Sequence, residues 1–281
     1  MNKVLLLIII SIGLFNNISG QSFKVITYNI RYDNPKDKEN RWDNRKDFLT
    51  DQIKFYEPDF LGTQEGLAHQ VSFIDSTLTQ YKYIGVGRND GNSEGEFCAI
   101  FFNTEKFNLI INSTFWLSET PDVPSKGWDA SLNRICTYGL FENGTTKEKL
   151  WVFNTHFDHR GVQARSNSSK LIIKKIRELN KDNYQIVFMG DLNLEPESEA
   201  IRYLSSELTD TKTADSRVVF GPTGTYNGFK FNQPVFRRID YIFVSKGNVE
   251  VVKYAVLSDS KECRYPSDHL PVYAEIVLTN N

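Results

Sequence analysis

The sequence predicts an α+β fold in which two packed, largely antiparallel sheets carry helices on their outer faces. Short apolar runs of β type dominate the chain, and many of them are separated only by short turns. A few stretches repeat apolar residues at helical spacing, and these fall between some of the strand-like runs. Because strands outnumber helices, packing of sheet on sheet is favoured over a simple alternating β-α-β fold.

The predicted strands are runs rich in β-branched and aromatic residues. Several are apolar almost throughout, as expected of strands that are covered on both faces. In chain order the runs are FKVITYN, FLGTQ, YKYIGVG, FCAIFFN, KLWVFNTH, QIVFMG, RIDYIFV, VEVVKYAVL and PVYAEIVL.

Three helices are predicted from spacing and from helix-start residues. In the first, apolar residues recur every three to four positions from Leu67 to Leu78, and in the second they recur from Leu171 to Leu179. The third, EPESEAIRYL, has Pro196 at a plausible first helical position, followed by acidic residues.

Bulk composition limits the classes of function. The chain has 281 residues, 40% of them hydrophobic, with no repeat or linker after residue 20, so we predict one domain over residues 21–281. The formal net charge of −2 does not mark the chain as a polyanion binder. Nucleic acid remains a candidate substrate that the charge does not indicate, and we expect a monomer.

The first 20 residues predict a signal peptide. Lys3 precedes the apolar run VLLLIIISIGLF, and small residues follow up to an expected cleavage after Gly20. The alternative is a membrane anchor, but the run is shorter than the about 20 residues of a spanning helix. We therefore expect a secreted or periplasmic protein with no membrane span after cleavage.

The three cysteines argue against a disulfide scaffold and against a zinc site, because their number is odd and no CxxC spacing occurs. Cys98 and Cys136 lie inside apolar runs and are predicted to be small core residues. One disulfide would still be compatible with export.

Apolar strands repeatedly end in a polar residue of catalytic type. Strand ends can gather in space even when they are distant in sequence, and function is often carried there. Each residue alone also has an ordinary interpretation as a turn, a helix cap or an Asx turn. Asp240, inside an apolar run, needs a partner because burying an unpaired carboxylate is costly. The set comprises Asn29, Glu65, His156, Asp191, Asn193, Asp240, Asp268 and His269.

Together these residue types suit hydrolysis of a phosphoester. Mg²⁺ prefers oxygen ligands, which Glu65 and Asp268 supply, and it polarises phosphoryl oxygens. Asp191 is a candidate base for water, and Asn193 can orient that water. His269 paired with Asp240 would be protonated more readily and could donate to a phosphate oxygen, and we expect His156 to do the same from another side.

The motifs TYNIR, GTQEG, NTHFDH, GDLN, RIDYIFV and SDHLP resemble, in order, those of the endonuclease/exonuclease/phosphatase superfamily, and the exported bacterial-type branch is the most similar. The resemblance implies a four-layer αββα sandwich with the site at one edge. It implies that Glu65 is the main ligand of Mg²⁺, with Mn²⁺ a possible substitute, assisted by Asn29 and Asp268. It also implies that Asp191 and Asn193 act on the water and that Asp240–His269 and His156 act on the phosphate.

One position departs from part of the superfamily. Abasic-site endonucleases carry an Asp two residues after the position of Asn29, whereas this chain has Arg31, as pancreatic-type deoxyribonucleases do. The difference argues against a second tightly held metal and predicts a guanidinium contact to phosphate.

The remaining candidate substrate contacts lie in loops and are Arg88, Arg134 and Trp128. A few Arg and Trp residues, without a basic stripe, favour a compact phosphorylated substrate over long duplex nucleic acid. The sequence favours a metal-dependent phosphodiesterase. The alternatives are a phosphomonoesterase that acts on a sugar or inositol phosphate, and a non-catalytic binding module on the same fold.

Overall fold

The computed structural model describes residues 22–216 and 218–279, so the predicted signal peptide at 1–20 lies outside the described residues. Four α-helices occur in the described part: α1 (Trp42–Tyr56), α2 (Ala68–Thr77), α3 (Val162–Leu179) and α4 (Glu199–Glu207), with a 3₁₀ helix at Pro35–Asn40. The strands there are β1 (Ser22–Asn29), β2 (Phe60–Gln64), β3 (Tyr81–Ile84), β4 (Ile100–Asn103), β5 (Phe107–Trp116), β6 (Ile135–Asn143), β7 (Lys149–His156), β8 (Gln185–Asp191), β9 (Thr209–Asp210), β10 (Val218–Phe220), β11 (Asp240–Val244), β12 (Val249–Val256) and β13 (Val272–Leu278).

The strands form two sheets. One has seven strands in the order β10-β12-β13-β1-β2-β4-β3, and the other has six in the order β5-β6-β7-β8-β11-β9. The pairs β1–β2, β7–β8 and β10–β12 are parallel, and the other pairs are antiparallel. The prediction of two largely antiparallel sheets is confirmed.

The fold has four layers, because successive side chains of a buried strand point to opposite faces of its sheet. Val25 of β1 and Met189 of β8 belong to one hydrophobic core between the two sheets. The next residue of β1, Ile26, points to the other face and packs in a cluster with Leu49 of α1. Phe188 of β8 belongs to a third cluster, which includes residues of α3 and α4. The order of layers is therefore helix, sheet, sheet, helix, as the family resemblance implies.

The predicted helices around Leu67–Leu78 and Leu171–Leu179 are confirmed, but the predicted start of the third helix was wrong. Helix α4 begins at Glu199 and not at Pro196. Ser198 is the N-cap, because its hydroxyl accepts a hydrogen bond from the Ile201 amide at 3.3 Å. A serine that satisfies this amide fixes the helix start three residues after the proline.

Strand pairing brings the catalytic-type residues to one edge of the sandwich. The parallel strands β1 and β2 end together, with Asn29 opposite Gln64. The parallel strands β7 and β8 also end together, with His156 opposite Asp191. Strand β11 runs antiparallel to β8 and begins at Asp240, again opposite Asp191. Residues distant in sequence therefore converge because their strands share this edge.

None of the helices in the described residues is long and apolar enough to cross a membrane. All three cysteines are free: Cys98 and Cys136 are buried, as predicted, whereas Cys263 is exposed.

Candidate active site

A cavity of about 630 Å³ lies at this edge of the sandwich. Most of the predicted site residues line it, and Asn29 and Asp240 are buried behind that lining, in hydrogen-bond contact with it. The predicted residues that line it are Arg31, Glu65, Arg88, Arg134, His156, Asp191, Asn193, Asp268 and His269.

Asp191 lies at the centre of the polar network. Its Oδ2 accepts a hydrogen bond from Asn29 Nδ2 at 3.0 Å, and its Oδ1 accepts one from the Asn193 backbone N–H at 2.9 Å. Burial and the nearby charge of Asp240 raise the pKa of Asp191 above its usual range, and His269 and these hydrogen bonds offset part of that rise. Asp191 is therefore a stronger base than an exposed carboxylate, and donors fix its position.

Asp240 and His269 form the predicted acid–histidine pair. His269 Nδ1 donates to Asp240 Oδ2 at 2.9 Å, and both side chains are buried. Burial opposes the charged imidazolium, but the carboxylates of Asp240 and Asp191 outweigh it and raise the pKa of His269 to about 10. Its Nε2 lies 3.8 Å from Asp191 Oδ2. His269 is therefore a fixed cation beside Asp191, with one N–H free for a ligand.

His156 lies on the other side of Asp191, with Nε2 at 3.4 Å from Asp191 Oδ2. Burial and the charges of Arg134 and Arg88 lower the pKa of His156 far below its usual range, so the ring is neutral. Asn193 Nδ2 lies 3.0 Å from Nε2 and donates to it, which leaves the proton of the ring on Nδ1. The two histidines therefore differ in charge, although the sequence predicts the same role for both.

Glu65 and Asp268 form a carboxylate wall. Glu65 Oε1 accepts from Asn29 Nδ2 at 3.0 Å, and Oε2 accepts from the Tyr32 N–H at 3.2 Å. Arg31 approaches both carboxylates, at 3.8 Å from Glu65 Oε2 and 3.9 Å from Asp268 Oδ2. Its closest contacts, at 2.8 and 3.1 Å, are to Asp37. The guanidinium is thus held at the cavity wall by three acids.

This donor set fits a hard divalent cation. Burial and the charge of Glu65 raise the pKa of Asp268, and the charges of His269 and Arg31 offset part of that rise. Carboxylate oxygens are the ligands that Mg²⁺ prefers. Asn29 Oδ1 accepts from the Arg31 N–H at 3.0 Å, and its Nδ2 donates to the carboxylates of Glu65 and Asp191. Asn29 therefore positions the carboxylates, and its role as a metal ligand stays a prediction.

A second group of three donors, from Asp191, Asp240 and His269, lies within 4.8 Å of one another. The Nδ1 atom of His269 is already committed to Asp240, and its imidazole is protonated in this environment. A protonated imidazole cannot ligate a metal. We therefore interpret this group as acid–base machinery and the carboxylates of Glu65 and Asp268 as the metal site.

Glu96 is a site residue that the sequence reasoning missed. It lines the cavity, and its Oε2 accepts from Arg88 Nη1 at 2.6 Å and lies 3.8 Å from His156 Nδ1. Burial and the charge of Glu65 raise the pKa of Glu96. An acid directly before the apolar run FCAIFF was the available signal. Other lining residues that the sequence reasoning did not assign are Tyr32, Leu132, His159, Arg237 and Ile239.

Asp158 explains why Arg134 reaches the cavity. The buried Asp158 accepts from the Arg160 and Gly161 N–H groups at 2.9 and 2.7 Å through one oxygen. Its other oxygen accepts from the Ser131 N–H at 3.0 Å and contacts Arg134 Nε at 3.5 Å. Burial opposes its charge, but these donors prevail and lower the pKa of Asp158 to about 2. Asp158 thus joins two loops and aims the guanidinium of Arg134.

Trp128 does not line the cavity, so the structure does not bring it together with the other predicted residues. It is half-buried in the 117–134 loop, where its N–H donates to Glu119 Oε2 at 3.1 Å. The aromatic side chains that do line the cavity include Tyr32 and Tyr226, and the ring of Tyr226 packs edge-on against His269 with 5.1 Å between centroids.

Comparison with known proteins identifies the family. The sequence model of the endonuclease/exonuclease/phosphatase family matches residues 26–269, and the chain belongs to this family. Members of the family hydrolyse phosphoester bonds and depend on divalent metals.

Individual relatives are similar over most of the chain. A family member from Bacteroides thetaiotaomicron has a structure similar at a TM-score of 0.89, with 38% identity over 93% of this chain and 99% of that one. The mannosyl-6-phosphatase of B. thetaiotaomicron VPI-5482 is similar at a TM-score of 0.87, with 38% identity over 91% of this chain and 100% of that one.

Among curated proteins, an uncharacterised protein of Acanthamoeba polyphaga mimivirus is 31% identical over 163 residues, which are 54% of this chain and 59% of that protein. The chain spans between 33% and 59% of the length of the first curated relatives that it matches.

Proposed function

We propose that the protein is a Mg²⁺-dependent phosphomonoesterase that releases phosphate from a sugar phosphate. The observation that carries the proposal is the shape and lining of the cavity. Carboxylates for a cation lie on one wall, and the buried guanidinium groups of Arg88 and Arg134 lie elsewhere in the lining. A volume of about 630 Å³ has room for a phosphate and one ring, and is within the range of small-molecule sites.

Similarity supports the monoester over the diester that the sequence favours. The relative whose name gives a substrate class, the mannosyl-6-phosphatase, matches at 38% identity over nearly the whole of both chains. A phosphodiesterase remains the second candidate, because Tyr226 and Arg237 connect the cavity to a second cavity that could hold the other half of a diester.

In the proposed reaction, Asp191 accepts the proton of the attacking water, since burial and Asp240 make it the stronger base. As the water oxygen bonds to phosphorus, the P–O bond to the sugar breaks, and the departing sugar oxygen takes a proton from solvent. The side-chain amide of Asn193, held by His156 and by the Phe157 carbonyl, orients that water. Glu65 and Asp268 would hold Mg²⁺, which when bound supplies positive charge that polarises a phosphoryl oxygen.

His269 acts as a donor and not as a base. Because its pKa is raised to about 10, it keeps its proton at neutral pH. The Nε2–H group can donate to a non-bridging phosphate oxygen as negative charge develops there, while Asp240 holds the ring from behind. Arg31 adds positive charge beside the same carboxylate wall.

The decisive experiment measures release of inorganic phosphate from mannose 6-phosphate and an inositol phosphate, release of the phenol from a bis-aryl phosphodiester, and shortening of RNA, with Mg²⁺, with Mn²⁺ and with chelator. We expect kcat/KM for mannose 6-phosphate to exceed that for the diester by at least about tenfold. Chelator should abolish turnover, and either ion should restore it, because Glu65 and Asp268 offer hard oxygen ligands.

A Glu65→Gln variant is the control, and added Mg²⁺ should restore little of its activity. Turnover that survives chelator would overturn the metal-dependent mechanism. Faster cleavage of the diester would favour the second candidate. Binding without turnover of any phosphoester would favour a non-catalytic module.

We also propose that the chain is exported, because residues 1–20 have the sequence pattern of a signal peptide, and that it then acts as a monomer. In the native host, mass spectrometry of the protein should find a mature chain that begins at Gln21, outside the cytoplasm. A full-length chain that starts at Met1 and stays in the cytoplasmic fraction would contradict export.

A further inference from the structure

A second cavity of about 240 Å³ adjoins the active site. The two cavities share Tyr226 and Arg237 as walls. The second one is otherwise lined by residues of a single loop: Asn227, Gly228, Lys230, Gln233, Pro234 and Phe236. Its size is below the about 300–1,000 Å³ of sites for drug-sized ligands, which suits a single ring.

The loop that forms this cavity is anchored to the active site. The Asn227 and Gly228 N–H groups both donate to the Asp268 carbonyl, at 2.8 and 3.0 Å. The Thr225 N–H donates to the Arg237 carbonyl at 2.7 Å and joins the two limbs of the loop. Thr225 Oγ1 also accepts from the Asp240 N–H at 3.2 Å. The cavity therefore has a fixed position relative to Asp268 and Asp240.

Its lining combines exposed aromatic surface with hydrogen-bonding groups. Phe236 is 72% exposed, so its ring is accessible to a ligand in this cavity. Lys230 and Gln233 are exposed beside it, and the Arg237 guanidinium lies 5.3 Å from the centroid of the Tyr226 ring. No carboxylate lines this cavity.

We propose that this cavity is a subsite for a second sugar ring, linked to the ring whose phosphate occupies the active site. The inference rests on the proposed function and extends its substrate class from a monosaccharide phosphate to a phosphorylated oligosaccharide. A pyranose has an apolar face of C–H bonds that packs on an aromatic ring such as Phe236. Its hydroxyl groups are acceptors and donors for Lys230, Gln233 and Arg237.

The proposal is tested by comparing two substrates that differ only by the second ring: methyl 6-phosphomannoside and a 6-phosphomannosyl disaccharide. For the wild type, we expect kcat/KM for the disaccharide to be about tenfold higher, mainly through KM, because the second ring adds buried apolar contact. Phe236→Ala should lower the ratio of the two kcat/KM values to near one.

Phe220→Ala is the matched control, because Phe220 is 69% exposed on β10 and does not line either cavity. It should leave the ratio unchanged. Two results would overturn the subsite but leave the proposed function intact. One is a ratio of the two kcat/KM values near one in the wild type, and the other is a Phe236→Ala variant that keeps the wild-type ratio. Failure to release phosphate from either sugar overturns the subsite together with the proposed function. Adenosine 5′-monophosphate is a third test substrate. If Phe236→Ala lowers the turnover of this nucleotide and of neither sugar phosphate, the second cavity binds a nucleobase, and the proposal of a sugar subsite is overturned.

Discussion

Replacing Asp191 with Asn is expected to lower kcat by about a thousandfold without unfolding the protein. The variant removes the proton acceptor for water, and loss of a general base costs about 10²–10⁴ in rate. The carboxylate is buried near Asp240, and both facts raise its pKa, so its charge does not favour folding. The amide keeps an oxygen for the Asn193 N–H, although it loses the contact with Asn29 Nδ2.

The measurement combines steady-state kinetics with thermal unfolding. Activity should fall by the stated factor while Tm stays within a few degrees of wild type. Asp259→Asn is the control: Asp259 accepts from Gln52 and Tyr56, outside the cavity lining, and its replacement should leave kcat unchanged. A D191N variant that keeps more than a tenth of wild-type kcat would show that another group takes the proton.

The layers of the fold could be predicted because the strands repeat apolar residues over their whole length. In β1, adjacent residues Val25 and Ile26 belong to different cores, so a run with no polar face indicates a strand covered on both sides. The start of α4 could not be fixed in the same way. Pro196 and Ser198 are both good start residues, and only the hydrogen bond to the Ile201 amide decides between them.

The pairing of Asp240 with His269 could be predicted because an acid inside an apolar strand needs a partner, and few histidines were available. The charge state of His156 could not be predicted from the sequence. It depends on burial and on the charges of Arg88 and Arg134, which approach from other parts of the chain. Side chains that only line a cavity, such as Arg237, leave no local pattern. Their position depends on contacts between the loop at 221–238 and the residues just before β13.

The second large effect is expected from the Asp240–His269 pair, whose members should act as one unit. His269→Gln removes the charged donor to phosphate and should lower kcat/KM by about a thousandfold. Asp240→Asn leaves the ring in place but removes the carboxylate that sustains its charge and orientation, and should cost about a hundredfold.

In the double variant, the Asp240 change should add little, because Asp240 contributes to catalysis mainly through His269, to which it is hydrogen-bonded, and less through the pKa of Asp191. The expected kcat/KM is close to that of His269→Gln alone, about a hundredfold above the product of the single effects. Asp240→Asn combined with Glu96→Gln is the comparison. Glu96 faces His156 and not His269, so these two effects should multiply. If the Asp240–His269 effects multiply as well, Asp240 must act on the reaction by a route other than the imidazole, and the proposed role of the pair would be lost.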